Sequence, residues 1–378
     1  MTSYNFENQF NGIYKGKTVF LTGHTGFKGS WLSFWLDRLG ARVIGYSKDF
    51  PSKPSHFELL PRPENGRSYI ENISDLSTLQ RVMEEHRPDI VFHLAAQSLV
   101  RYSYAHPLET FASNMMGTAN VLECSRRVES VKAVVNVTSD KCYENNDNEN
   151  AAFRETDPMG GYDPYSCSKG VSELLTNCYR NSFFSPAGKL LASGRAGNVI
   201  GGGDWALDRL IPDLVKATAR GEVTVIRSPQ ATRPWQHVLE PLSGYLMLGQ
   251  KLLEGEETFA EGWNFGPKDR EALTVLEVLQ IFEKHWDEMM FEYDKSTNNP
   301  HEANFLSLDC TKANERLNWH PVWNSAKAIE KTVEWYRTYY SDGRIITLDN
   351  LVEYSNEALQ LGHAWAAPLK VKHELHTN

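Results

Sequence analysis

The stretch KTVFLTGHTGFKGSWLSFWLDRLGARVIGYS, Lys17 to Ser47, constrains the fold of this chain more than any other. A β-branched apolar run, KTVFLTG, leads into the turn HTGFKG. SWLSFWLDRLG then spaces its apolar residues as a helix does, up to Gly40, and ARVIGYS reads as a second strand. This is a β-α-β unit, whose two strands run parallel because a helix crosses between them. The turn holds Gly23, Gly26 and Gly29. Without side chains there, backbone N–H groups can approach a pyrophosphate at the positive end of the helix. The spacing is G-x-x-G-x-x-G rather than G-x-G-x-x-G, so taken alone the turn is equally a tight glycine corner.

The order of elements repeats. DIVFHLA follows LSTLQRVMEEH, and AVVNVTS follows NMMGTANVLECSRRV, a strand after a helix each time. Repetition predicts an α/β fold, a Rossmann-type doubly wound parallel sheet covered on both faces. Ligands of such sheets sit beyond the carboxyl ends of the strands. VTSDKCYENN places Ser139, Asp140 and Lys141 at one of those ends. Further on, YDPYSCSKGVSELL holds Tyr165 and Lys169, four apart and therefore on one helical face. An ammonium beside a phenol favours phenolate, bringing a hydroxyl of ordinary pKa ~10 toward use as a base. Standing alone, this is an ordinary exposed helical pair. Here it follows a glycine turn and a strand-end serine, in the order a hydride-transfer enzyme requires.

At 378 residues the chain exceeds the ~250–300 at which single cores stop growing, so two domains or a large annex are expected. A net charge of -9 gives no footprint for nucleic acid or anionic lipid. No segment reaches the ~18 uninterrupted apolar residues of a membrane helix, and the opening lacks a signal pattern, so a soluble, cytoplasmic protein is expected. Five cysteines without a C-x-x-C pair predict reduced thiols. Twelve histidines without H-E-x-x-H predict no metal site. The one biased run is ENNDNEN.

TGHTGFKG, HLAAQ, NMMGTANVLE, TSDK and YSCSK, in this order and at these separations, resemble the extended short-chain dehydrogenase/reductases from about Gly16 to Tyr340, and among them the nucleotide-sugar 4,6-dehydratases. GHTGFKGSWL, a Ser-Asp-Lys triplet where the commoner pattern is Thr-Asp-Glu, and RAGNVIGGGDWALDRLIPD narrow the resemblance to the CDP-glucose 4,6-dehydratases. It implies an NAD-binding Rossmann domain over 12–195 with returning segments later in the chain, a smaller C-terminal α/β domain mainly over 196–345 for the sugar nucleotide, and a C-terminal extension over 346–378. It implies NAD as a recycled cofactor and CDP-glucose as substrate, oxidised at C4, dehydrated across C5 and C6, and reduced at C6. The product is a precursor of 3,6-dideoxyhexoses. Subunits of the family pair through the helices carrying NMMGTANVLE and YSCSKGVSELLTNCY, which implies a homodimer or homotetramer.

On the same resemblance, Tyr165 takes the C4–OH proton, Lys169 lowers its pKa and binds the nicotinamide ribose, and Ser139 hydrogen-bonds the C4 oxygen. Asp140 and Lys141 divide the elimination, one as acid to the C6 hydroxyl and one as base at C5. A lysine of ordinary pKa ~10.4 needs desolvation or cationic neighbours to be that base, so the division stays open. The cofactor residues are Gly23, Thr25, Gly26, Phe27, Lys28 and Gly29 in the turn, Ser47 after it, Asn72 and Ile73 at the adenine, and Leu94, Ala95 and Gln97 along the ribose and pyrophosphate. The second strand ends in Tyr46, Ser47 and Lys48 rather than an acid, which physically suits a 2′-phosphate. A recycled cofactor does not need the reductive NADP pool, and the resemblance implies NAD. Asn198, Trp205, Arg209, Arg233 and Asn264 are expected around the sugar nucleotide, the arginines clamping its diphosphate with planar forks. Two other readings stay open: a sugar-nucleotide 4-epimerase, with no use for Asp140 and Lys141, and a non-catalytic NAD-binding protein.

Overall fold

The computed structural model describes residues 5–63, 65–145, 152–226, 229–267, 273–294 and 305–366. Seven strands form one sheet: β1 Thr18–Thr22, β2 Arg42–Ser47, β3 Arg67–Ile70, β4 Ile90–His93, β5 Ala133–Val137, β6 Leu190–Arg195 and β7 Gly262–Asn264. Their spatial order is β7-β6-β5-β4-β1-β2-β3, and every neighbouring pair is parallel. The predicted doubly wound sheet is therefore the observed one. Its order reverses between β1 and β4, which opens a crevice at their carboxyl ends.

The strands form where the sequence runs apolar because both faces of a parallel sheet are covered. Every residue of β4 and β5 is buried. Helix α1, Phe27–Arg38, lays Trp31, Leu32, Trp35 and Leu36 into the core on one side. Helix α2, Pro164–Tyr179, starts sharply because Asp163 accepts the Ser166 N–H at 2.9 Å and Pro164 fills a first-turn position that needs no donor. Helix α3, Leu239–Leu253, is buried almost all round and packs on β5 and β6. It delivers the chain back to the sheet as β7.

Beyond β6 the strands are short pairs: Val199–Ile200 with Gln236–His237, Thr232–Arg233 with Leu273–Thr274, and Val223–Ile226 with Met290–Tyr293. Helix α4, Thr347–Gln360, packs back on the body. Its Tyr354 hydroxyl donates to Glu240 on α3 at 2.9 Å, and Trp365 beyond it stacks on Phe10 with centroids 5.2 Å apart. Over 346–366 the expected extension is thus packed structure, while 367–378 and most of the ENNDNEN run lie outside the described residues. All five cysteines are free thiols. Among the described residues no helix is long and apolar enough to cross a membrane.

Candidate active site

The glycine turn is shaped by backbone contact. Gly23 has φ +76°, and a Cβ there would stand 2.7 Å from the Ala95 nitrogen; a Cβ on Gly29 would stand 1.9 Å from the Gly23 carbonyl oxygen. Thr22, at the end of β1, holds the facing loop, its Oγ1 accepting the N–H groups of Leu94 at 3.1 Å and Ala95 at 3.2 Å. Bare backbone at a helix start is a cradle for phosphate that any side chain would fill, so these residues fit a dinucleotide. Thr25 helps to close the turn, its N–H reaching Ser47 Oγ at 3.2 Å and its hydroxyl the Asp49 carbonyl at 2.6 Å. Sequence reasoning missed His24. Its ring lies against Gly45 between Ser47 (2.8 Å) and Ser68 (2.6 Å), and burial pulls its pKa down to about 4.

The candidate catalytic corner forms where β5 ends beside the start of α2. Ser139 Oγ donates to Asp140 Oδ1 at 2.9 Å and accepts the Lys141 N–H at 3.2 Å, which turns the triplet into one tight turn. Tyr165 is buried beside Ser139. Burial pushes its hydroxyl up to about 12, opposed by Ser139 and the Arg209 charge and assisted by Asp140. Ser139 and Arg209 are the groups that pull Tyr165 down. Lys169 itself is buried, and desolvation brings it down to about 8. Lys28, half-buried at the start of α1, is lowered to about 7 by desolvation and then by Lys169 and Arg209, with Asp140 opposing. Lys141 lines a shallow pocket with Tyr143, Asp163 and Ser166.

A supporting layer went unseen in the sequence. Glu173 extends the Tyr165–Lys169 spacing by another four residues and takes hydrogen bonds from Thr138, Ser193 (2.8 Å) and Arg195 (2.8 Å). Arg195 also donates to the Tyr143 hydroxyl at 2.6 Å. Asn114 binds the Gln97 N–H at 2.8 Å, and its own amide donates to the Gln97 carbonyl and Ser168 Oγ, both at 2.9 Å. The repeat of Tyr, Lys and Glu at intervals of four was the available signal for Glu173.

The other expected site residues divide. Gly23, Gly26, Phe27, Lys28, Gly29, Leu94 and Ala95 gather at the crevice edge, and Arg209 joins them, donating to Asp204 at 2.8 Å and Ser98 at 2.9 Å. Half-buried Arg233 donates to the Thr232 carbonyl at 2.9 Å, and Asn198 takes a left-handed φ of 47°. Asn72 holds the Ser74 N–H, and Gln97 gives its amide to Leu99 and Thr110. Two expectations, Asn264 and Trp205, need correction. Asn264 is fully buried, with its side chain bonded to Tyr143, Phe153 and Asp309, so it braces the scaffold instead of meeting a ligand. Trp205 is buried among Trp335, Tyr336 and Tyr339 and donates to Tyr340 at 3.0 Å. Ile73 packs its side chain against Gly117, within the helix layer. Ser47 commits its hydroxyl to His24 and Thr25, and Lys48 pairs with Glu109 at 3.0 Å.

The family described as GDP-mannose 4,6 dehydratase matches residues 20–332. The CDP-glucose 4,6-dehydratase of Salmonella typhimurium is 50% identical over 332 residues, which cover 86% of this chain and 92% of that protein. Among solved structures, an epimerase from Methanothermobacter thermautotrophicus superposes with a TM-score of 0.76 at 25% identity, covering 90% of this chain and 97% of the other. DesIV, a dTDP-glucose 4,6-dehydratase from Streptomyces venezuelae solved with NAD bound, superposes at 0.71 with 24% identity, covering 85% and 97%, a likeness of fold.

Proposed function

The chain belongs to the GDP-mannose 4,6 dehydratase family, and from that premise we propose that it converts CDP-glucose to CDP-4-keto-6-deoxyglucose and water. The observation that carries the reading is the presence of Asp140 in the same buried corner as Ser139 and Tyr165. A 4-epimerase needs a base at C4 but has no departing hydroxyl to protonate. The substrate follows the relative that shares half of its residues with this chain.

NAD, when bound, stores the electron pair and hydrogen taken from C4 until they are returned at C6. The turn at Gly23, Gly26 and Gly29, with Lys28, Leu94 and Ala95, would hold its phosphates, and Lys169 its nicotinamide ribose. Pairing of Lys48 with Glu109 supports NAD over NADP, since that cation is already engaged. Tyr165 Oη receives the C4–OH proton, with Ser139 Oγ orienting the same oxygen. Burial holds Tyr165 high, so it becomes a base only as Ser139 and the Arg209 charge offset the desolvation. Asp140 and Lys141 handle the C6 hydroxyl and the C5 proton. Arg209 and Arg233 receive the sugar diphosphate. The enzyme works in the cytoplasm as a homodimer or homotetramer; exposed Leu108, Met116 and Leu174, on the helical segments that pair in the family, support the assembly.

The test is turnover of purified protein on CDP-, dTDP-, GDP- and UDP-glucose, read by the ultraviolet absorbance of a 4-keto-6-deoxy sugar in alkali. CDP-glucose is the expected substrate. Formation of CDP-galactose instead would transfer the chain to the epimerases. In heavy water, Lys141→Met should lose exchange at C5 while Asp140→Asn keeps it; the reverse result swaps their roles.

A further inference from the structure

Two buried polar atoms beside the catalytic corner have no hydrogen-bond partner among the described residues: Asp140 Oδ2 and Tyr245 Oη. Tyr245 projects from α3 and is fully buried. Its ring lies against Gly194, where a Cβ would stand 2.7 Å from Cε1, and meets Phe265 edge-on with centroids 5.6 Å apart. The Asp140 carboxyl fills the space left by Gly197, where a Cβ would stand 1.6 Å from Oδ2. Gly194 lies in β6 and Gly197 follows its end, so one bare stretch of backbone seats both side chains. The charge of Asp140 is felt at the Tyr245 hydroxyl, and so is that of Tyr165. The other ionisable groups around the carboxyl are Lys28 from α1, Tyr165 from α2 and Cys142 on its own turn.

The two orphaned atoms are complementary. A phenol O–H is a donor without an acceptor, and a carboxyl oxygen is an acceptor without a donor. Oδ1 already takes the Ser139 hydroxyl, so Oδ2 is the atom that remains. Buried polar groups left unmet carry their whole desolvation cost, whereas a mutual hydrogen bond removes it for both. We propose that Tyr245 is a positioning residue for the elimination, its O–H donating to Asp140 Oδ2 directly or through one bridging water and so fixing the plane of that carboxyl. The proposal rests on the dehydratase reading, because epimerisation gives Asp140 no task.

Tyr245→Phe tests it, since the ring and its packing remain and only the hydroxyl goes. On rapid mixing of NAD-loaded enzyme with CDP-glucose, C4 oxidation should rise at the parent rate, seen as the near-ultraviolet absorbance of reduced nicotinamide. Its decay through elimination should slow about tenfold, with KM for CDP-glucose unchanged. Combined with Asp140→Asn, the same substitution should leave the residual elimination rate unaltered. Elimination at the parent rate in Tyr245→Phe would overturn the proposal, as would an equal slowing with and without Asp140→Asn, which would show action independent of that carboxyl. Parent enzyme that makes no 4-keto-6-deoxy product would instead remove the dehydratase reading before any variant is compared.

Discussion

Glu173 and Asp140 are both buried carboxyl groups at the carboxyl edge of the sheet, and they are hydrogen-bonded in opposite ways. Glu173 has both oxygens engaged, by Thr138, Ser193 and Arg195, and the arginine supplies a countercharge at 2.8 Å. Burial alone would raise its pKa; Arg195 and the two hydroxyls overcome that and hold it below the ordinary carboxylate value. Asp140 has one oxygen bonded to its neighbour Ser139, the other bare, and no ion pair among the described residues. The satisfied carboxylate ties β5, β6 and α2 together. The half-satisfied one has an oxygen left over, which the proposed elimination would use. A group whose bonds are all made has little left to offer a substrate, and a group with bonds missing is tolerated where function uses them.

The largest effect expected from this contrast lies on the unsatisfied side. Tyr165→Phe should lower turnover about a thousandfold with the unfolding midpoint nearly unchanged, since it removes only the oxygen proposed to accept the C4–OH proton. A variant running above a tenth of the parent rate would show that Tyr165 is not the base. On the satisfied side, Glu173→Gln should cost stability first, about 3–5 kcal/mol in urea unfolding, because Arg195 is left buried without its countercharge. If that variant unfolds like the parent yet loses turnover, the division between scaffold and chemistry fails.

Glu240 sharpens the comparison from a third position. It accepts the N–H groups of Val322 at 3.0 Å and Trp323 at 2.7 Å and the Tyr354 hydroxyl at 2.9 Å, and burial pushes it up from 4.5 to about 7. A carboxyl raised on folding favours the protonated folded state. Its contribution is therefore fully present below about pH 4.5 and is lost as pH rises through about 7, on the order of 3 kcal/mol. Urea midpoints of the parent should fall across that window relative to Glu240→Gln. Parallel pH profiles would mean that the hydrogen bonds fully compensate the buried charge.

The parallel sheet, the glycine turn, the strand-end triplet and the Tyr165–Lys169 face were legible in the sequence because each is a local pattern. Alternation, a helical spacing of four, or a run bounded by glycine determines where a few adjacent residues point. Only the tertiary structure decided which polar residues face a ligand and which face each other. Asn264 meets Tyr143 across 121 residues, Arg195 on β6 meets Glu173 on α2, and Trp205 disappears among aromatic rings near residue 335. The Tyr245 ring and the Asp140 carboxyl fit along one stretch of backbone only because Gly194 and Gly197 leave room for them. Such pairings depend on how layers pack, which no short-range spacing records. Burial likewise set the pKa values of Tyr165, Lys169 and Lys28, since desolvation belongs to the whole fold surrounding a group rather than to its neighbours along the chain.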